Sequence, residues 1–341
     1  MESMKRQKIL VIQFKYLGDV VVATPVLRAI KTHFVGSELH VLIPEAARPL
    51  LDHLKWIDRV WTIQRRRDPS SLVHTWPMVH RLRRERFDVS IDLAGNDRGA
   101  ILSRMIGART RVGPMARKGF FLRRHCYTLP VEEMDANRHE TVRLWATTSA
   151  LGVPFPTDPT VEIGVNPSLL GKAETLLDGT EVMCCISATQ PKREWPLKNW
   201  VRFYEMARHQ GVRMAFTAGK AARENRLLSQ IRSRCPDMPL VEAIEPLDLF
   251  LAVLSRLRGF IGPDGGPLHF AAALGVPTIG IFGPTEGRRW APLGERHQYL
   301  QGGLCPCSGH ADKCSHRHHC IREVTPEALY KALREMTGNW T

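Results

Sequence analysis

Short apolar segments rich in β-branched residues alternate with longer amphipathic segments along the first half of the chain. This alternation is typical of βαβ units, in which parallel strands form one sheet and helices cover it. A helix is predicted from about Val20 to Phe34, and similar helical patterns fill the other gaps. The alternation weakens after Gly113. The predicted strands of this half are Lys8–Phe14, Glu38–Pro44, Arg59–Gln64 and Phe87–Ala94.

A second alternating series follows the proline-rich segment Gly152–Pro159, which cannot continue the helix predicted over Thr141–Leu151. A last helix, Pro326–Met336, is predicted to begin after Thr325 as its N-cap. The predicted strands of this series are Val182–Ser187, Val212–Ala218, Gly259–Gly262 and Pro277–Phe282. Its predicted helices are Leu197–Gln210, Ala221–Arg234, Leu247–Leu257 and Pro267–Leu274.

The two series predict two α/β domains, residues 1–158 and 159–325, and a C-terminal helix in residues 326–341 that packs back on the first domain. Two such halves make the cleft between them the expected ligand site. The chain has 341 residues, 43% of them hydrophobic and 24% charged, which fits a folded protein with buried cores. The apolar segment Ile9–Phe14 is too short for a signal peptide or a membrane span, which favours a cytoplasmic protein.

The formal net charge of +14 indicates an anionic partner, which charge alone does not identify. Nucleic acid, an anionic membrane surface and a phosphorylated substrate all fit. Any one basic cluster can equally be a solvated face, but three in one half favour an anionic ligand there. The clusters are Arg65, Arg66 and Arg67; Arg81, Arg83, Arg84 and Arg86; and Arg117, Lys118, Arg123 and Arg124.

The loop after the first predicted strand, Lys15–Asp19, is expected at the carboxyl end of the sheet, where open α/β sheets bind ligands. Asp19 has two interpretations. It can be the N-cap of the following helix, or a general base that accepts a proton from a substrate hydroxyl.

In the second half, a glycine turn leads from a strand into a helix over Ile261–Leu274. The N-terminus of such a helix offers unpaired N–H groups and a positive dipole to an anion, of which a diphosphate is the obvious candidate. Asp264, Gly266 and His269 lie within this turn. His269 alone would more often be structural, but the combination favours a binding site.

Two further loops follow strands of the second half. Lys192 and Arg193 can neutralise a departing phosphate, or they can be an exposed basic pair. Glu224 is placed to meet a ribose, or it is an acid on a helix surface.

These motifs together resemble the family of lipopolysaccharide heptosyltransferases, glycosyltransferase family 9, and among them the core heptosyltransferase III type. The resemblance follows the same order over nearly the whole chain. The residues that carry it are Gly18-Asp19 with Thr24-Pro25, Trp195-Pro196 preceded by basic residues, Asp264-Gly265-Gly266-Pro267-Leu268-His269, and Phe282-Gly283-Pro284-Thr285.

The resemblance implies a GT-B fold, with two Rossmann-like domains facing each other across a cleft, the first binding the acceptor and the second the nucleotide sugar. It implies an inverting transfer of heptose from ADP-heptose to an anionic glycolipid, at the cytoplasmic face of the inner membrane, with no metal and no other cofactor required. Asp19 would be the catalytic base. Acceptor contacts are predicted from Lys15 and from Arg65, Arg66 and Arg67, because the carboxyl end of the strand Arg59–Gln64 should open onto the same cleft as Asp19. Donor contacts would come from Thr189, Lys192, Arg193, Glu224, Asp264, Gly265, Gly266, His269 and Thr285.

The chain departs from the family pattern at two positions. Arg193 stands where the family often has lysine, so either Lys192 or Arg193 can be the phosphate ligand. Gly265 replaces the usual serine or threonine and removes a possible hydroxyl contact. No two aspartates are separated by a single residue, so the Asp-x-Asp metal signature of the other large transferase class is missing.

Four cysteines crowd into one loop near the C-terminus together with several histidines. They are Cys305, Cys307, Cys314 and Cys320. Thiolates and imidazoles can hold a structural zinc or iron, but the spacing is not that of paired C-x-x-C motifs. A metal site and a reduced, metal-free loop both stay open.

Three other functions are weighed against glycolipid transfer. A protein-modifying, autotransporter-type heptosyltransferase would use the cysteine loop to hold its metal. A nucleic-acid-binding protein would explain the charge, but it leaves the Asp19 loop and the Asp264–His269 turn without a purpose. An NAD-dependent oxidoreductase would need G-x-G-x-x-G after the first strand, where the chain has Lys-Tyr-Leu-Gly-Asp. We therefore expect no nucleic-acid partner.

Overall fold

The computed structural model describes residues 6–64, 71–115, 120, 122–135, 137–303 and 320–338. The chain divides into two compact units, Met1–Gly164 and Val165–Thr341. This division lies six residues beyond the boundary predicted after residue 158. The described residues between Ala150 and Asn166, which include the predicted linker, form no helix or strand.

The first unit contains a six-stranded parallel sheet in the order β3-β2-β1-β4-β5-β6. Its strands are β1 (Lys8–Ile12), β2 (Glu38–Pro44), β3 (Arg59–Ile63), β4 (Val89–Asp92), β5 (Thr110–Met115) and β6 (Leu129–Glu132). Its helices are α1 (Leu17–Val22), α2 (Thr24–His33), α3 (Arg48–Leu51), α4 (Ser71–Arg84), α5 (Asp97–Ile106) and α6 (Glu140–Ser149).

The second unit has a sheet of the same type in the order β12-β11-β10-β7-β8-β9. Its strands are β7 (Val182–Cys185), β8 (Met214–Thr217), β9 (Leu240–Val241), β10 (Gly259–Pro263), β11 (Thr278–Phe282) and β12 (His297–Gln301). Its helices are α7 (Leu170–Leu177), α8 (Leu197–Ala207), α9 (Ala222–Arg234), α10 (Leu247–Leu254), α11 (Gly266–Ala273), α12 (Gly287–Trp290) and α13 (Pro326–Gly338).

Each unit therefore repeats the doubly wound order of Rossmann-like domains, because renumbering the second sheet from its own first strand gives the order of the first. The central strands are buried along their whole length, as expected for parallel strands covered on both faces. Ile9 to Ile12 of β1 are fully buried. The α/β fold class predicted from the alternating pattern is confirmed.

The helix predicted over Val20–Phe34 is divided at Ala23 into α1 and α2. Pro25 has no N–H with which to continue the helical hydrogen bonds to the carbonyl of Val21. The hydroxyl of Thr24 donates to that carbonyl instead, at 2.7 Å. The prediction of a single helix is wrong at this point, because Pro25 lacks the backbone N–H that would continue it. The hydroxyl of Thr24 satisfies the carbonyl that is left without that donor.

The prediction placed no strand where β5, β6, β9 and β12 occur, although each pairs in the sheets. β9 has only two residues, and β5 and β6 contain Pro114 and Pro130, which weaken a strand pattern. β6, β9 and β12 are edge strands, where one side needs no hydrogen-bonding partner.

The C-terminal helix α13 lies in the second unit, where it packs against α8 and the β11–β12 side of the sheet. Thr325 caps it as predicted, since its hydroxyl accepts the N–H of Ala328 at 3.1 Å. Its packing on the first half of the chain stays a prediction. Within the described part of the chain, no helix has the length and apolar character needed to cross a bilayer.

Candidate functional site

Each sheet has one point at which the strand order reverses, between β1 and β4 in the first unit and between β7 and β10 in the second. The loops that leave two such strands run in opposite directions, so a crevice opens between their carboxyl ends. The predicted residues Lys15 and Asp19 follow β1, whereas Arg193 and Asp264 follow β7 and β10. Most of the predicted site residues thus lie beside these two points.

The second unit brings Asp264, Arg193 and His269 together. Oδ2 of Asp264 lies 3.1 Å from Nη1 of Arg193, and its Oδ1 lies 3.9 Å from Nε2 of His269. Both Asp264 and His269 are buried. Burial by itself would raise the pKa of Asp264, but His269 and the charge of Arg193 outweigh it and lower that pKa. Asp264 is therefore held as a carboxylate.

Helix α11 begins directly beside this carboxylate. Gly265 is its N-cap, Gly266 its first residue and Pro267 the second, which needs no hydrogen-bond donor there. The backbone at Gly265 is extended, and a Cβ atom added there would meet nothing closer than 3.8 Å. Open space in front of a helix N-terminus is the arrangement that binds phosphate groups.

The loop after β7 is fixed in place by Glu194 and Trp195. Glu194 accepts the N–H of Ala188 at 3.1 Å and pairs with Arg223. The indole of buried Trp195 donates to the carbonyl of Val324 at 2.8 Å. Because both ends of the loop are held, the 3₁₀ turn Pro191–Arg193 has a fixed place at the sheet edge.

The other predicted donor residues differ in their surroundings. Thr189 is exposed, and Lys192 is half-buried without a hydrogen bond or ion pair to any described residue. Thr285 is buried, and its proximity helps to lower the pKa of Asp264.

Glu224 has a structural role of its own. Its carboxylate accepts the N–H of Ala221 at 3.2 Å, which satisfies a free donor at the start of α9. The carboxylate also fills the space that a side chain at Gly219 would need. Glu224 is thus not a simple surface acid, and its predicted contact with a ribose stays a prediction.

In the first unit, Asp19 is buried but is not the N-cap of α1. The cap is Tyr16, and Asp19 is the third residue of the helix. Oδ2 of Asp19 accepts the N–H of Tyr16 at 3.3 Å, which fixes the direction of the carboxylate. The alternative of Asp19 as N-cap is therefore wrong in detail, because the helix begins two residues before Asp19, at Leu17.

Lys15 is half-buried at the end of the same loop. The other predicted acceptor residues, Arg65, Arg66 and Arg67, lie outside the described residues. Their part in acceptor binding stays a prediction.

A buried pair, Asp92 and Tyr127, was not predicted from the sequence. It lies beside the point between β1 and β4 where the strand order of the first sheet reverses. Asp92, the last residue of β4, is fully buried and accepts the hydroxyl of Tyr127 at 2.6 Å and the N–H of Gly95 at 3.1 Å. A side chain at Gly99 would overlap the carboxylate of Asp92, and one at Gly113 would overlap the ring of Tyr127. Two glycines thus make room for one carboxylate and one phenol.

Two cations, Arg123 and Lys15, act on the carboxylate of this pair. Burial raises the pKa of Asp92, against the opposing effects of Tyr127, Gly95 and the charge of Arg123. Arg123 is itself buried, with Nη1 3.8 Å from Asp97. No local spacing signals this group, because Asp92 and Tyr127 are 35 residues apart.

Most of the cysteine loop that could hold a metal lies outside the described residues. Cys305, Cys307 and Cys314 lie outside the described residues, and Cys320 is half-buried at the start of the last described segment. Within the described ranges, no group of three or more His, Cys, Asp or Glu side chains is arranged to hold a metal ion.

Comparison with known proteins adds a family to this geometry. Residues 75–318 match the model of glycosyltransferase family 9 (heptosyltransferase). Lipopolysaccharide heptosyltransferase 3 of Escherichia coli is 22% identical over 290 residues, covering 82% of this chain and 84% of that protein.

Two solved structures share the fold over nearly the whole length. A glycosyltransferase of family 9 from Veillonella parvula has a TM-score of 0.82 and 18% identity, covering 97% of both chains. The E. coli heptosyltransferase WaaC, in a structure with ADP-2-deoxy-2-fluoro heptose, has a TM-score of 0.72 and 18% identity, covering 96% of this chain and 99% of WaaC. The two sheets described above are therefore those of the GT-B fold, and this chain belongs to glycosyltransferase family 9, the heptosyltransferases.

Proposed function

We propose that this enzyme transfers heptose from ADP-heptose to a hydroxyl of the lipopolysaccharide inner core, with inversion and without a metal. The observation that carries the proposal is the buried Asp264 carboxylate, paired with a cation at the N-terminus of α11. Membership of the family supplies the class of reaction. The similarity to a lipopolysaccharide heptosyltransferase supports the choice of acceptor.

The donor diphosphate is assigned to the N-terminus of α11 and to Lys192. The first N–H groups of α11 have no partner within the helix, and its dipole favours a negative charge at this end. Arg193 is already paired with Asp264, whereas the ammonium group of Lys192 is not paired with a described carboxylate. We therefore assign the departing phosphate to Lys192 and give Arg193 the task of holding Asp264 in place.

The remaining donor residues are assigned to the heptose, the phosphates and the ribose. The charged carboxylate of Asp264 is an acceptor for hydroxyl groups of the heptose, with His269 as a second polar contact. The hydroxyls of Thr189 and Thr285 are assigned to the phosphates. Glu224 is assigned to a ribose hydroxyl through Oε1, the oxygen that lies 3.8 Å from Nη2 of Arg223 and does not accept the N–H of Ala221.

Transfer requires one displacement at the anomeric carbon. The acceptor oxygen attacks from the face opposite the diphosphate, and its proton passes to the carboxylate of Asp19. The bond to the phosphate oxygen breaks, and ADP leaves with the negative charge. Lys192 and the dipole of α11 stabilise that charge, which is the task a metal ion performs in other transferases.

The acceptor is assigned to the first unit, with Lys15 and the arginines Arg65, Arg66 and Arg67. Guanidinium groups suit the phosphates and acidic sugars that the family resemblance implies for the core. The site of action would be the cytoplasmic face of the inner membrane.

The test is a transfer assay with ADP-heptose and core glycolipid from cells that lack heptose additions. Mass spectrometry should find one added heptose, and NMR should find the anomeric configuration inverted. A chelator should leave the rate unchanged, whereas loss of activity restored by a divalent ion would overturn the metal-free mechanism. Addition of heptose to a protein, with none to the glycolipid, would support the protein-modifying alternative instead.

A further inference from the structure

Helix α4 presents an unusual outward face. Trp76 is 59% exposed, although it is the largest type of side chain, and Pro77 beside it is exposed as well. Further along the helix the exposed residues are basic, whereas Val79 and Leu82 on the opposite face are buried. We define the α4 outer face as Trp76, Pro77, His80, Arg81, Arg83 and Arg84, together with Arg86 just after the helix.

The charge of this face is not neutralised within the protein. Its four arginines form no ion pair with a described carboxylate. The neighbouring acid, Glu85, is already held by Lys8 and Arg59, each at 2.8 Å. Arg226, Arg232 and Arg234 of α9 are also exposed without an ion pair to a described carboxylate, so the feature that distinguishes α4 is the exposed tryptophan beside its arginines.

The tryptophan and the arginines are close enough to contact one surface. With a rise of about 1.5 Å per residue, Trp76 and Arg84 lie roughly 12 Å apart along the helix axis. A tryptophan ring is amphipathic and prefers the headgroup level of a bilayer, where arginines meet the anionic lipids.

We propose that the α4 outer face docks the enzyme on an anionic lipid bilayer, with Trp76 inserted at headgroup depth and the arginines on the lipid phosphates. This goes beyond the transfer reaction, since lipid binding needs neither donor nor acceptor. It assigns a surface to the membrane contact and explains an exposed tryptophan that folding does not require.

The test compares binding of the full chain to phosphatidylglycerol–phosphatidylethanolamine vesicles and to pure phosphatidylcholine vesicles by co-sedimentation. The triple variant Arg81→Gln, Arg84→Gln and Arg86→Gln should weaken binding to the anionic vesicles by about 100-fold, because each arginine near the surface contributes roughly a factor of five. Trp76→Ser should weaken it by about tenfold or more through loss of the inserted ring.

Helix α9 offers a matched control. Arg226, Arg232 and Arg234 are exposed on it, and no large apolar residue of this helix is exposed. Replacing these three arginines with glutamine changes the net charge equally and should alter vesicle binding by less than threefold. Equal loss in both triple variants, or a Trp76→Ser protein that binds like wild type, would overturn the proposal. So would tight binding to a DNA duplex with none to anionic vesicles.

Discussion

Two aspartates occupy corresponding places in the two units, and their pKa values are shifted in opposite directions. Asp92 ends β4, and Asp264 directly follows β10, the strand that corresponds to β4 in the second sheet. Both are buried. The pKa of Asp92 is raised because burial dominates, whereas that of Asp264 is lowered because His269 and Arg193 outweigh burial.

The difference lies in the partners. Asp264 is paired with a guanidinium, so its charge is kept and is available to a ligand. Asp92 receives a phenol and a backbone N–H, which satisfy its oxygens inside the core without a paired cation. We therefore propose that the same place in a Rossmann-like sheet serves binding in one unit and structure in the other. Which role a carboxylate takes depends on the charge that the neighbouring loops bring to it.

The largest expected effect concerns Asp19, the proposed catalytic base in the first unit. Asp19→Asn should lower turnover by about 100-fold or more, the usual scale for a lost general base, while ADP affinity stays within twofold. Asp52→Asn is the control and should leave turnover unchanged, because Asp52 is exposed and Arg48 is its one ion-pair partner among the described residues. A turnover within a few-fold of wild type for Asp19→Asn would reduce Asp19 to its structural role in α1.

The structural role of Asp92 is tested through its glycine neighbours. Gly113→Ala should destabilise the protein by about 2 kcal/mol, because the added methyl group overlaps the ring of Tyr127. Gly171→Ala is the control, since nothing lies within 4 Å of a Cβ there. Urea denaturation measures both. Equal stability of the two variants would mean that the pair is loosely packed.

The proposed binding role of the carboxyl end of the second sheet is tested by replacing its two cations, Lys192 and Arg193, one at a time. Lys192→Ala should weaken ADP binding by about tenfold with no loss of stability, because it removes a charged contact to the diphosphate. Arg193→Ala should also lower the melting temperature, since it leaves the Asp264 carboxylate buried without its partner. Calorimetry and thermal denaturation separate these outcomes, and unchanged ADP affinity in Lys192→Ala would contradict the assignment.

The smallest expected effect is on the pH dependence of stability. The folded-state pKa of Asp92 is raised, so its contribution falls as pH rises from about 4 toward that pKa. The pKa of Asp264 is lowered, so its contribution is present above about 4 and is lost as pH falls further. Relative to wild type, Asp92→Asn should therefore gain stability on raising pH, whereas Asp264→Asn should lose less on acidification. If the stability of wild type, Asp92→Asn and Asp264→Asn depended on pH in the same way, the proposed difference between the two aspartates would be wrong.

The sequence by itself determined the alternating α/β elements and placed the candidate site residues after strands. Periodicity and glycine placement are local, so Asp264, His269 and the start of α11 could be located from one short segment. The division of the first helix at Ala23 was missed, because it depends on one hydroxyl bond beside Pro25.

Only the tertiary structure decided which residues meet across strands. Arg193 reaches Asp264 because β7 and β10 are adjacent in the sheet, although they are far apart in the chain. Tyr127 reaches Asp92 at the end of β4, because Gly113 of β5 and Gly99 of α5 leave the space that side chains would fill. Such contacts carry no periodic signal, since strand order and burial set them together. The ionisation of both aspartates therefore depends on the assembled sheets and not on their local sequence.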